Sequence, residues 1–103
     1  MNKTVMRKIL SRNIDTLTLY YCQKPCTGYG LIGEVKKTFK MRLGAGIVYG
    51  SLMRLERDDL LEHEMVDGKN GRRSMSYVVT EQGKTMFLCN VVELRALLKI
   101  VGC

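Results

Sequence analysis

Histidine and proline each occur once in this sequence of 103 residues, and acidic residues are few, with ten against 17 lysines and arginines. The lone histidine, His63, lies in a predicted strand, and no other residues complete a catalytic set around it. Gly28, Gly30 and Gly33 match a G-x-G-x-x-G spacing, but no strand-helix-strand unit surrounds them and no acidic residue follows at the required distance. We therefore expect neither an enzyme nor a bound cofactor.

Long hydrophobic runs are also lacking. The most apolar segment, residues 86–102, is interrupted by an asparagine and three charged residues, and it is too short and too charged to span a bilayer. The first ten residues alternate charged and apolar side chains, and no cleavage-site pattern follows them, which argues against a signal peptide. We expect a cytoplasmic protein without a membrane partner.

Cysteines are present but do not form a metal-binding pattern. The spacing from Cys22 to Cys26 is one residue longer than the usual zinc pair, and the remaining two, Cys89 and Cys103, do not form a second pair. The sequence therefore predicts no metal site, and the cysteines are interpreted as small hydrophobic residues in a reducing compartment.

The net charge of +7 is unevenly distributed along the chain. Six of the ten acids fall between Glu56 and Asp67, whereas residues 1–12, 36–42 and 68–73 contain basic residues and no acid. Basic charge gathered in separate patches suits a polyanionic partner such as nucleic acid. The alternative is a generally basic surface without a specific partner.

Three helices are predicted in the first half of the chain. The segment "RNIDTLTLYYCQK" has helical apolar spacing and is stopped by Pro25, while residues 1–12 form a basic arm or an extension of this helix. A second helix follows Thr27, a plausible N-cap, and a third runs from about Ala45 to Asp58. The short turn between these two gives helix-turn-helix order. The third helix is predicted to bury Val48, Leu52 and Leu55.

The second half of the chain predicts a hairpin followed by a helix. Asp67-Gly68 and Asn70-Gly71 are turn signals between two alternating segments, and Thr80 is suited to cap a helix from Glu81. The predicted fold class is mostly α with a two-stranded β-wing. It consists of a winged helix-turn-helix domain at residues 13–80 and a C-terminal dimerisation helix at residues 81–103.

The outward side of the third helix suggests its role. If its apolar residues face the core, the opposite stripe is Ile47, Gly50, Ser51, Arg54 and Arg57. Small residues allow close approach to DNA, an isoleucine suits a thymine methyl group, and the uncapped N–H groups of the first turn suit a phosphate. For the two arginines, the alternative is a solvated surface paired with nearby acids. For Tyr49, phosphate contact and packing within the protein are equally open.

The C-terminal helix is too apolar to stand alone. Besides a seam at steps of four and three, it carries a second apolar row, and monomers rarely expose such a patch. We expect a homodimer with its two third helices roughly 34 Å apart on a pseudo-palindromic site. The candidate interface residues are Phe87, Leu88, Val91, Leu94, Leu97, Leu98 and Val101.

Three segments, in the same order, resemble PadR-like transcriptional regulators: "TGYGLIGEVKKTF", "LGAGIVYGSLMRLERDDLL" and "RRSMSYVVTEQGK". The resemblance implies a dimeric repressor that binds DNA through the third helix and the wing and dimerises through its C-terminal helix. The chain departs from the family pattern at three places: Gly44-Ala45 replaces Ser-Pro, Gly50 replaces a proline, and Thr27 replaces a histidine. The third helix is therefore expected to begin less rigidly.

Together with this resemblance, the sequence predicts a transcriptional regulator that binds double-stranded DNA in a sequence-specific manner. Two alternatives are a sequence-tolerant chromatin protein and a winged-helix module that binds proteins; the basic patches argue against the second. A small-molecule effector has no support in the sequence. The candidate DNA contacts are Thr27, Tyr29, Lys40, Arg42, Gly46, Ile47, Tyr49, Gly50, Ser51, Arg54, Arg57, Lys69, Asn70, Arg72 and Arg73.

Overall fold

The computed structural model describes residues 2–68 and 70–102, and within them the chain forms five helices and one small sheet. The predicted winged helix-turn-helix order, followed by a C-terminal helix, is confirmed. The helices are α1 (Lys3–Arg12), α2 (Ile14–Tyr21), α3 (Gly28–Phe39), α4 (Ala45–Arg57) and α5 (Glu81–Ile100). The strands are β1 (Cys26–Thr27), β2 (Leu61–Asp67) and β3 (Arg73–Val79).

Side-chain caps begin three of the helices. The hydroxyl oxygen of Thr27 accepts a hydrogen bond from the Gly30 amide at 3.0 Å, and that of Thr80 accepts one from the Gly83 amide at 3.0 Å, as predicted for both threonines. The Asn2 side chain caps α1 in the same way, through the amide of Thr4. Residues 3–12 therefore form a helix of their own and not an unstructured arm, with Asn13 marking the break before α2.

The sheet has one strand more than predicted. All pairs are antiparallel in the order β1-β3-β2, and the hairpin register runs from Leu61 opposite Val79 to Asp67 opposite Arg73. The additional strand, β1, pairs Cys26 with Tyr77. A strand of two residues shows no alternation in the sequence, which is why the prediction of a two-stranded wing missed it.

The hydrophobic core lies where α2, α3 and α4 meet the sheet. Leu19, Leu31 and Val35 are fully buried there, and Tyr77 and Val79 close it from β3. The predicted buried face of α4 is confirmed. Its members are Val48, Leu52 and Leu55. This packing fixes α4 through one side only, which leaves the other side available.

The C-terminal helix α5 is attached to the rest of the chain mainly by its first half. Phe87 packs partly against the core, and Asn90 donates a hydrogen bond from Nδ2 to the Thr16 hydroxyl on α2 at 3.1 Å. Further along, the apolar side chains of the predicted interface lie exposed, with Leu98 52% and Val101 61% accessible. In the part of the chain that the structure describes, no helix combines the length and apolar character needed to cross a membrane.

Gly83 in the first turn of α5 provides a test of this packing. A Cβ atom at Gly83 would overlap the carbonyl oxygen of Leu60, and that oxygen also accepts a hydrogen bond from the Thr80 amide at 3.1 Å, so it is not free to move. We expect Gly83→Ala to lower the free energy of unfolding by about 2 kcal/mol, as overpacking does. Urea denaturation followed by circular dichroism measures this loss.

The matched control is Gly33→Ala in α3, where no atom lies within 4 Å of the added Cβ. Because alanine favours helix more than glycine, this variant is expected to be as stable as the parent or up to about 1 kcal/mol more stable. Equal free energies of unfolding for the two variants would contradict the close contact between Gly83 at the start of α5 and the carbonyl group of Leu60 just before β2.

Candidate nucleic-acid interface

The turn between α3 and α4 alternates buried apolar residues with exposed basic ones. Met41 and Leu43 are buried in the core, whereas Lys40 and Arg42 alternate with them and are exposed. Lys40 ends α3 in the left-handed conformation, with φ of 57°, and its amide bonds the carbonyl of Lys36. The two buried side chains fix the turn, and both predicted cations are exposed in the segment that leads into α4.

The first half of α4 presents a surface of small and apolar residues. Ala45 and Gly46 are exposed, Ile47 is partly exposed, and Gly50 is half-buried. The N-cap, Gly44, has no side chain with which to bond the amides of the first turn. The predicted outward position of Ile47 is therefore confirmed. Met53, which is 68% exposed and lies on the same helix, was not predicted as part of this surface.

Tyr49 joins α4 to the beginning of α3. Its ring lies directly against the backbone of Gly28, at a place where any Cβ atom on Gly28 would overlap the ring. The ring is nevertheless 43% exposed, so Tyr49 both packs within the protein and keeps one side open to solvent. Tyr29, the next residue along α3, is 78% exposed and stands beside this contact without being covered.

The prediction that Ser51 faces outward is wrong. Its side chain is fully buried, and its hydroxyl donates to Asp15 Oδ1 at 2.7 Å and lies 2.9 Å from the Thr18 hydroxyl on α2. Ser51 is three residues after Val48 and four before Leu55, which places it on the buried face of the helix. The spacing in the sequence already indicates this face, whereas the hydrogen-bond partners that make burial of the hydroxyl favourable come from α2 and are visible only in the structure.

Arg54 is engaged by the same carboxylate as Ser51. Its Nη2 lies 2.6 Å from Asp15 Oδ1 and its Nε lies 3.2 Å from Oδ2, a two-point pair with both side chains a little under half exposed. Burial raises the pKa of Asp15, but the hydrogen bonds from Arg54 and Ser51 and the charge of Arg54 outweigh it, and the net pKa is lowered. The alternative given for the two arginines, pairing with an acid, therefore holds for Arg54, and the acid is Asp15 on α2.

The remaining outward arginine and the wing are more open. Arg57 Nε lies 3.6 Å from Asp58 Oδ1, and Arg73 Nε lies 3.6 Å from Asp67 Oδ1, both at exposed positions where such pairs are weak. Asn70 and Arg72 are exposed at the hairpin tip, where Gly71 takes a positive φ of 70°. Lys69, also predicted as a contact, lies outside the described residues.

The single histidine pairs with an acid at the end of α4, away from the exposed start of that helix. Nδ1 of His63 on β2 pairs with the carboxylate of Glu56 near the end of α4, and the His63 ring lies 5.6 Å from that of Tyr77. Burial raises the pKa of Tyr77, and the charge of Glu56 adds to this shift. Between residues 2 and 102, with Lys69 aside, no three His, Cys, Asp or Glu side chains are grouped to hold a metal ion.

The sequence of this chain matches the model of one protein family. The model of the transcriptional regulator PadR-like family matches residues 17–88, which include the helix-turn-helix, the wing and the start of α5. The chain belongs to the PadR-like family of transcriptional regulators. Among proteins of curated function, the comparison finds no match.

Solved structures of PadR-like proteins resemble this fold over most of the chain. A PadR family regulator from Eggerthella lenta superposes with a TM-score of 0.83 at 24% identity, covering 96% of this chain and 88% of that one. One from Clostridium difficile gives 0.76 at 26% identity over 85% and 93%. Bacillus subtilis PadR, solved in complex with operator DNA, gives 0.70 at 13% identity over 77% of this chain and 47% of its own.

The pair between Asp15 and Arg54 predicts a pH-dependent contribution to stability. Because the folded-state pKa of Asp15 lies below its ordinary value of 3.8, its contribution is fully present above that value and is lost as the pH falls through the lowered pKa. We expect Asp15→Asn to cost about 1 kcal/mol at pH 7, given the exposure of the pair, and to cost progressively less in strong acid.

Denaturant titrations of the parent and of Asp15→Asn at several pH values measure this difference. Glu34→Gln, an exposed acid on α3, is the control and should show no comparable loss at pH 7. A constant difference between Asp15→Asn and the parent down to pH 2 would contradict a lowered pKa for Asp15.

Proposed function

We propose that this PadR-like regulator binds double-stranded DNA in a sequence-specific manner as a homodimer and represses transcription. The observation that carries the proposal is the exposed first half of α4, which lies along the chain between two segments with exposed cations. One group is on the turn before α4, Lys40 and Arg42, and the other is on the wing, Arg72 and Arg73. A helix of this kind fits the major groove, and the flanking cations then reach the phosphates on either side.

The chemistry of the surface suggests a role for each part. The free amides in the first turn of α4 suit a phosphate oxygen, since no side chain caps them. Ile47 suits the methyl group of thymine, and the exposed sides of Tyr29 and Tyr49 suit contacts along the backbone. The similarity to the DNA-bound structure of Bacillus subtilis PadR supports the same use of this fold here.

The proposed dimerisation through α5 would suit binding to a two-fold symmetric site. The exposed leucines and valines of this helix form a continuous apolar surface that another copy of the helix would cover. A dimer places two copies of α4 on one face of the duplex, which matches a pseudo-palindromic operator. Occupation of a promoter by such a dimer would exclude the polymerase, so repression requires no surface beyond those described.

One observation favours a second candidate function, sequence-tolerant DNA binding. Ser51 is buried and Arg54 is paired with Asp15, so two side chains expected to read bases are engaged within the protein. Competition between a selected duplex and bulk DNA at fixed salt separates the two functions. A regulator should prefer its site by a factor of about 1,000 or more, whereas a sequence-tolerant protein shows little preference.

Removing the cations of the wing tests the proposed docking. We expect the double variant Arg72→Ala, Arg73→Ala to bind all duplexes about 10- to 100-fold more weakly at low salt. The slope of log K against log salt should decrease in magnitude by about 2, because two phosphate contacts are lost. Fluorescence anisotropy at four salt concentrations measures both quantities.

The control removes the same charge elsewhere, through Arg7→Ala and Lys8→Ala on α1. This variant should retain most of the affinity and most of the salt slope. Equal losses in the two variants would reduce the interaction to general charge attraction and would refute a specific role for the wing.

The oligomeric state tests the role of α5. We expect the parent to sediment at twice its monomer mass of 11.7 kDa at micromolar concentration, and Leu98→Asp to sediment as a monomer, because a buried carboxylate would be unpaired between the helices. Met53→Asp, the same kind of change at an exposed position on α4, should remain a dimer. A monomeric parent would contradict the proposed homodimer.

A further inference from the structure

Two free cysteines lie together in the connection between α2 and α3. Cys22 follows the last residue of α2 and is fully buried, while Cys26 begins β1 and is partly exposed. Cys26 lines an open cavity of about 470 Å³ together with Tyr20, Lys24 and Glu34. One thiol is therefore open to a small solute from outside, whereas the other is reached only from within the protein.

Both cysteines are bonded to or paired with residues of strand β3. The carbonyl oxygen of Cys22 accepts a hydrogen bond from the Val79 amide at 3.0 Å, and Cys26 is the strand partner of Tyr77. These positions on β3 are two residues apart, a separation of roughly 6.5 Å along a strand. Because Cys22 and Cys26 are each bonded to or paired with one of these two residues, their backbones lie close together, and each thiol shifts the pKa of the other.

The two thiols differ in acidity because they lie close to each other in different surroundings. The contact with Cys26, together with burial, raises the pKa of Cys22, whereas the contact with Cys22 lowers the pKa of Cys26 in spite of burial and the nearby charge of Glu34. Cys26, which is partly exposed and has the lowered pKa, is therefore the thiol that a solute from outside would meet first.

We propose that Cys22 and Cys26 form a dithiol oxidation site that takes a small hydroperoxide, with Cys26 as the attacking thiol and Cys22 as the resolving thiol. The Cys26 thiolate attacks the terminal peroxide oxygen, the O–O bond breaks, and Cys26 becomes a sulfenic acid as water or an alcohol leaves. Cys22 then attacks the Cys26 sulfur, the S–S bond forms, the S–O bond breaks, and the sulfenic oxygen leaves as water. Two thiols are oxidised and one hydroperoxide is reduced.

This inference goes beyond the proposed function, because neither cysteine belongs to the proposed DNA-contacting surface. The bond would join the end of α2 to β1, one residue before the Thr27 that caps α3. It would close a loop of three intervening residues without bringing together any segments that are now apart. Its formation can therefore be tested without DNA.

Peptide mapping after treatment with hydrogen peroxide tests the proposal. Trypsin does not cleave Lys24 before Pro25, so the tryptic peptide 13–36 contains Cys22 and Cys26 and no other cysteine. We expect this peptide to become lighter by two hydrogen atoms and to regain them with dithiothreitol. The full chain carrying Cys103→Ala provides the sample, and exposed Cys89 serves as the internal control. Cys26 should react about tenfold faster than Cys89.

Two variants assign the roles. In Cys22→Ala, peroxide should leave a sulfenic acid on Cys26 that dimedone traps, because no resolving thiol is present. In Cys26→Ser, Cys22 should remain fully alkylatable after the same treatment and subsequent denaturation. If Cys22→Ala does not fold, the mapping of the parent alone decides. Oxidation of Cys89 before the pair, or a disulfide from either cysteine to another chain, would overturn the proposal.

Discussion

The arrangement of the molecule depends on the attachment of α4 along one side only. Val48, Leu52 and Leu55 bury their side chains in the core, and Ser51 adds two hydrogen bonds to α2 within that buried face. A buried hydroxyl without partners would destabilise the fold, and here both the Asp15 carboxylate and the Thr18 hydroxyl satisfy it. Every feature of the outward side, including its small residues and exposed amides, depends on this attachment.

The polar contacts of α4 combine a structural role with a functional constraint. Asp15 holds Ser51 inside the protein and Arg54 at its surface, so it connects the core to the face proposed for DNA. Asp15 engages Nε and Nη2 of Arg54, so a contact of these two donors with a phosphate or a base would cost the ion pair with Asp15. In the proposed mode of binding, readout of the duplex would therefore depend more on Ile47, the first-turn amides and the wing than on the two arginines of α4.

Charge and apolar surface are separated within the same short chain. Cations are exposed on the α3–α4 turn and at the tip of the hairpin, whereas Glu56 pairs with His63 near the far end of α4. The apolar row of α5 occupies a third region, beyond the point where Asn90 attaches that helix to α2. The start of α4, the exposed cations and the apolar row of α5 thus differ in chemistry, and their proposed purposes are groove binding, backbone contact and self-association respectively.

The sequence alone determined the order of the elements, the caps at Thr27 and Thr80, and the buried face of α4, because each depends on spacing within one helix or turn. Tertiary structure decided what distant segments do to each other. The two residues of β1 form a strand only because they pair with β3. The ring of Tyr49 on α4 packs against Gly28 on α3, and Arg54 on α4 pairs with Asp15 on α2. Local periodicity specifies which side of a helix is buried, but the partner of a polar group comes from another element, and the position of that element is set only when the core has formed.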